Sequence, residues 1–219
     1  NARLIDRHRF AYHVEGGAAE PVLAALAAYG NPDGGFGHAL DADFRGTESQ
    51  PAHTYDALRV LDEIGACRGE MVTRIVDFLA SVTAPDGGVP VLLPSVRRGP
   101  SPTWWNVENL SPDGSLLPTA GIAGILRKNG VAHPWLDTAT TFCWRALDAL
   151  DETHPYEVES CVPFLDHVPD RHTAERVAGS LGELVRERRM VALDRQTGAG
   201  AQISPGYAER EWHAPLDYA

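Results

Sequence analysis

Asp41 and Asp43 stand two residues apart in a stretch, Gly34 to Gln50, that is long for a connector and dense in aromatic and charged side chains. In extended backbone alternate side chains point the same way, so both carboxylates face one side of the loop. Like charges held close raise one pKa, and a carboxyl that keeps its proton at neutral pH can act as a general acid. His38 follows Gly37 and is placed to orient those acids or to serve as a base. His53 and Asp56, three residues apart on an expected helix, share a face and offer a metal-ligand pair to Asp41 or Asp43. That spacing arises readily by chance, and neither a metal nor a cofactor is expected. The same residues also have an ordinary reading. Aspartate is a common turn former, Arg45 can pair with either acid, and a single histidine is commonly a hydrogen-bonded packing residue.

A second long stretch, Val89 to Leu117, carries Arg97, Arg98, Trp104, Trp105 and Glu108. Paired tryptophans can cap an apolar cavity and stack on a carbocation or a sugar face, or fold back as a satellite core. The candidate catalytic residues are therefore Asp43, Asp41 and His38. Phe36, Phe44, Arg45 and Gln50 are the substrate-facing candidates of the first stretch, and Trp104 and Trp105 those of the second. Phe142, Trp144 and Phe164 read as plain core, and Glu183 to Arg189 as a solvated helix face.

The elements that must position these side chains are helical. Trp135, Leu136, Ala139, Phe142, Cys143, Ala146, Leu147 and Leu150 recur at three- and four-residue steps. Pro51 and Pro118 suit first helical turns, while Gly30, Gly65 and Gly130 stand where left-handed caps stop a helix. Helices are expected over 2–14, 19–29, 51–64, 69–82, 118–129, 134–151, 155–168 and 171–190, with a short extended piece at Val89–Leu93. Asn31-Pro-Asp-Gly-Gly returns as Ala84-Pro-Asp-Gly-Gly and as Ser111-Pro-Asp-Gly-Ser, and each copy reads as a chain reversal between helices on one rim of a stack.

The 219 residues suit a single domain over 1–219, whose Gly-rich tail after Leu193 leaves the C-terminal end open to continuation. Nineteen Lys and Arg against 30 Asp and Glu give a net charge of −11, which argues against nucleic acid as a partner. No apolar run reaches membrane-spanning length and the first residues lack a signal-peptide core, so a cytoplasmic protein is expected. Cys67, Cys143 and Cys161 form no CxxC pair, which argues against a disulfide framework.

Asn31-Pro-Asp-Gly-Gly-Phe-Gly, followed by Ser49-Gln-Pro-Ala-His-Thr-Tyr-Asp-Ala-Leu58 and Leu61-Asp-Glu-Ile-Gly65, resembles the repeat of the prenyltransferase and squalene-cyclase superfamily. A looser copy runs from Asp113 through Pro118-Thr-Ala-Gly-Ile-Ala-Gly-Ile125 to Gly130. The run from Arg9-Phe10 to Gly37-His-Ala-Leu40 is similar to actinobacterial proteins labelled prenyltransferase-like. The resemblance implies an all-α fold, an α/α toroid of helical hairpins forming a partial or closed barrel. It also implies an aromatic-lined cavity for an apolar, isoprenoid-like substrate. In the class II terpene cyclases of that superfamily an Asp-x-Asp-Asp motif protonates the substrate through its middle acid. Asp41-Ala-Asp43-Phe44 matches its first and third positions, which makes Asp43 the proton donor, Asp41 its partner and Phe44 part of the cavity wall. The zinc-dependent protein prenyltransferases place a cysteine in an Asp-x-Cys context that none of the three cysteines here shares. Acid-initiated cyclisation is thus the leading expectation. A carbohydrate-active toroid enzyme and a non-catalytic lipid- or protein-binding module are its competitors.

Overall fold

The computed structural model describes residues 2–102, 105 and 107–190; Trp104 and the tail beyond Met190 lie outside the described residues. Eight α-helices are present among them: α1 (Leu4–Val14), α2 (Glu20–Ala27), α3 (Pro51–Glu63), α4 (Glu70–Ser81), α5 (Leu116–Lys128), α6 (Trp135–Asp148), α7 (Pro155–His167) and α8 (Arg171–Glu187). Each end lies within three residues of its expected position. The protein is all-α. Val89–Leu93 is irregular rather than extended strand, because its polar backbone is used against Gln50 and Ala52 instead of a ladder. A single-turn 3₁₀ helix follows at Pro94–Arg98.

Contacts divide the chain into two compact units, 1–114 and 115–219, where the sequence reading has one domain. In the first unit α1 packs on α2 and α3 on α4. Gln50 is extended (φ −128°, ψ 142°) and Pro51 opens α3, so the helix begins where proline's missing N–H costs nothing. Its buried face is His53, Thr54, Ala57, Leu58 and Leu61, at helical spacing. Gly65 (φ 66°) ends α3, with the Ala66 N–H donating to the Leu61 carbonyl at 2.8 Å. α5 ends the same way at Gly130 (φ 66°). Gly30 does not take the left-handed conformation; it pairs instead with Phe36 in an isolated antiparallel bridge.

The Pro-Asp-Gly repeat is real in two of its three copies. At Asn31–Gly35 the Gly34 N–H donates to the Asn31 carbonyl, and the Gly35 N–H to Asp33 Oδ1. The equivalent bonds recur at Ala84–Gly88, and Gly34 and Gly87 share φ 92°. At the third copy no turn forms. The Gly114 N–H donates to Asp86 Oδ2 at 3.0 Å, so this segment docks on the second turn instead of reversing the chain.

In the second unit α5 lies between α6 and α7, with its residues from Pro118 to Leu126 all buried. A Cβ at Gly124 would stand 2.3 Å from the Pro163 carbonyl carbon, so glycine lets α5 and α7 meet backbone to backbone. Ser160 seals the crossing by accepting from the Gly121 N–H and donating to the Leu116 and Leu117 carbonyls. Phe142 and Phe164 are buried here, and Trp144 meets Phe164 edge-on.

Candidate functional site around the loop before α3

The loop from Gly30 to Gln50 is tied down at many points. Asn31 Nδ2 donates to the Thr47 carbonyl and to Ser49 Oγ, and Ser49 Oγ donates to Asp33 Oδ1. The Phe36 N–H donates to Thr54 Oγ1, and Thr54 Oγ1 donates to the Gln50 carbonyl, which fastens the loop to the first turn of α3. Gln50 is fully buried: its Nε2 donates to Ser95 Oγ and its Oε1 accepts from the Leu93 N–H, both at 2.8 Å. Expected to face substrate, Gln50 instead joins the two long loops of the first unit. Phe36 and Phe44 are likewise buried, while Arg45 is exposed and forms no ion pair with Asp41 or Asp43.

The expected acid cluster comes out differently. His38 is exposed and its Nε2 donates to Asn31 Oδ1 at 2.9 Å. It lines an open groove of about 350 Å³ with Leu4, Ile5, Pro21 and Tyr29, a groove that neither Asp41 nor Asp43 reaches. Asp43 is exposed, and its backbone N–H donates to Asp41 Oδ1 at 2.9 Å, the turn-forming bond anticipated as the ordinary role of an aspartate. An exposed carboxylate has water for a partner, so Asp43 lacks the desolvation that a proton donor to an alkene requires. A second cleft, about 520 Å³, lies beside Phe36 between the first Pro-Asp-Gly turn and the start of α4, with Arg74 donating to the Pro32 carbonyl across it. Both are open clefts.

Chemically unusual groups gather instead on α3. His53 is wholly buried, edge-on to Phe44 (5.4 Å between ring centroids) and to Trp105 (5.6 Å), and those two rings stack at 6.0 Å. Leu92 and Val96 complete this cluster. Trp105 therefore serves as an aromatic wall packed on Phe44. Burial pushes the His53 imidazole below its ordinary value, with Asp41 acting in the opposite sense. One turn further along the same face, Asp56 is pushed up to about 7 by burial and by the charge of Asp41, against Arg59, Arg3 and Arg9. The Asp56 side chain keeps 34% of its surface, and Arg59 Nη1 comes to 4.0 Å of it.

The charge of Asp41 thus acts on both His53 and Asp56, while its carboxylate accepts from the Asp43 backbone N–H. The backbone that carries it is unusual as well. His38 (φ 57°) and Ala39 (φ 63°) are both left-handed, a conformation costly for residues with a Cβ and found where surrounding structure enforces it. Arg3 enforces it from α1, its Nη1 donating to the carbonyls of Ala39 (3.1 Å) and Leu40 (2.7 Å). Nothing in the sequence near Arg3 marks that role, since its partner lies 36 positions along the chain. No group of three His, Cys, Asp or Glu side chains arranged to hold a metal occurs among the described residues, so His53 and Asp56 do not form the metal-ligand set considered from their spacing.

Compared with known proteins, the chain is similar in fold to a protein from Actinoplanes whose crystal structure superposes with a TM-score of 0.56 at 18% identity. The match covers 93% of this chain and 65% of that one, so this chain spans about two thirds of its neighbour's length. At that identity the likeness is one of fold alone. No protein-family model and no curated protein matches the sequence. Among the described residues no helix is long and apolar enough to cross a membrane.

Proposed function

We propose that this chain belongs to an α/α toroid that performs acid-initiated chemistry on an apolar, isoprenoid-like substrate, with the proton held by the Asp41 and Asp56 pair. The observation that carries this reading is the Asp56 carboxyl on α3, pushed up to about 7 by burial and by the charge of Asp41, one helical turn from His53 and its aromatic wall. Protonating an alkene needs a carboxyl that keeps its proton near neutral pH, and the raised value of Asp56 supports it in that role. Phe44 and Trp105 supply the π faces against which positive charge is tolerated.

Incubation with a linear polyene, with and without an allylic diphosphate, followed by mass spectrometry of the products, tests it. Asp56→Asn keeps shape and removes the transferable proton, so turnover falls by about 10²–10⁴-fold, while Asp43→Asn stays active. An active D56N with an inactive D43N would return the donor role to Asp43. A second reading, a non-catalytic module binding an apolar ligand, is favoured by the commitment of Phe36, Phe44 and Gln50 to packing. It predicts ligand retention with no product from any variant.

A further inference from the structure

His53 poses a problem that its packing does not answer. A phenylalanine would fill the space between Phe44 and Trp105 at no polar cost, yet the ring placed there is an imidazole with zero exposure whose two nitrogens both lack a hydrogen bond. Buried orphan nitrogens are rare and costly. The acceptors that face this ring are the backbone carbonyls of Asp41 and Phe44, and neither closes a hydrogen bond of ordinary geometry. The two residues bracket the tip of the acid loop. Arg3 holds that loop from the α1 side at Ala39 and Leu40, and the left-handed pair His38 and Ala39 makes it unfavourable without restraint. The loop therefore has a complete outer tether and an inner one whose donor is in place but unengaged.

We propose that His53 is a positioning residue, an inner latch that donates to the Asp41 or Phe44 carbonyl when the acid loop closes and so sets the approach of Asp41 to Asp56. The proposal deepens the reading of Asp41 and Asp56 as the proton-holding pair, and rests on it for its functional meaning. The latch acts through backbone atoms and does not touch substrate. It needs a hydrogen-bond donor at the tip of residue 53, which a glutamine amide also supplies.

Hydrogen exchange of the loop amides, with NMR titration of the Asp56 carboxyl, tests it on the intact chain as wild type, His53→Phe and His53→Gln. In H53F the melting temperature holds or rises, because the orphan nitrogens are gone. Its Leu40, Asp43 and Arg45 amides exchange about five- to tenfold faster, the effect of losing one hydrogen bond's net contribution. The Asp56 midpoint falls below that of the wild type, because Asp41 is no longer drawn closer to it by the latch. H53Q, whose amide donates to a carbonyl, restores both. Wild-type exchange and an unmoved midpoint in a folded H53F would overturn the latch and leave His53 a packing residue. Should H53F fail to fold, H53Q decides: retained exchange and midpoint support the latch, and loss of both overturns it. A D56N protein that still turns over would sink the proposed chemistry through an assay that shares no readout with these measurements.

Discussion

Asp41 and Asp43 illustrate how little spacing says about burial. Both were candidates for one shared role, yet a single backbone bond from Asp43 to the Asp41 carboxylate turns their side chains to different fates. Gln50 makes the converse point. Removing its amide strands the Leu93 N–H and the Ser95 hydroxyl, so Gln50→Ala should lose about 1–3 kcal/mol, read as a lower midpoint in urea denaturation. A loss within 0.5 kcal/mol would mean that the two long loops are held by other contacts. The Ser-Gln-Pro run was visible in sequence as a helix start, but its amide's partners lie 43 and 45 residues away and could not be. All three cysteines are buried, with Cys161 pushed up to about 12 and Cys143 raised by burial. Under native conditions these two thiols should resist alkylation, and rapid labelling of either would contradict the packing of α6 and α7.

Among the elements, α3 and α5 carry the strongest demands. The α5 crossing with α7 depends on Gly124, where any side chain meets the backbone of Pro163 and Phe164. Gly124→Val should destabilise by about 1–3 kcal/mol or more, measured by thermal melting, because two helix backbones must part to admit it. A melting temperature equal to wild type would show that this crossing is looser than drawn. Helix ends were legible where proline and glycine act through local backbone chemistry, at Pro51, Gly65 and Gly130, whereas the polar caps emerged with the structure: Ser115 Oγ accepts from the Leu117 N–H, and Asp170 Oδ1 from the Thr173 N–H. The third Pro-Asp-Gly copy was misread for the opposite reason. Its residues favour a turn, but the nearby Asp86 carboxylate competes for the Gly114 N–H and prevails.

At the scale of the molecule, two carboxyls give stability opposite pH slopes. Burial alone would raise Glu63, but hydrogen bonds from Arg9 (3.0 and 2.5 Å) and His13 (2.6 Å) outweigh it and hold the carboxyl below its ordinary 4.5. This tie of α1 to α3 is fully present above about 4.5 and is lost as pH falls through the depressed folded value. Asp56 is raised from 3.8 to about 7, so the folded state is favoured below 3.8 and loses that advantage as pH rises through 7. Chemical denaturation across pH 3 to 8 should therefore show Glu63→Gln flattening the acid limb and Asp56→Asn the limb between 4 and 7. An unchanged neutral limb in D56N would place its carboxyl in ordinary solvent. The sequence by itself determined the helices, the glycine stops at Gly65 and Gly130, two of the turns and the all-α class, because periodicity and local backbone chemistry operate within a few residues. It singled out the loop before α3 by its length and its density of charged and aromatic side chains. Only the tertiary structure decided which acid faces which, since desolvation and charge coupling arise where α1, α3 and the two long loops close on one another. That closure leaves Asp43 exposed, raises Asp56 and sets His53 between two aromatic rings, an arrangement that no neighbouring residue in the chain encodes.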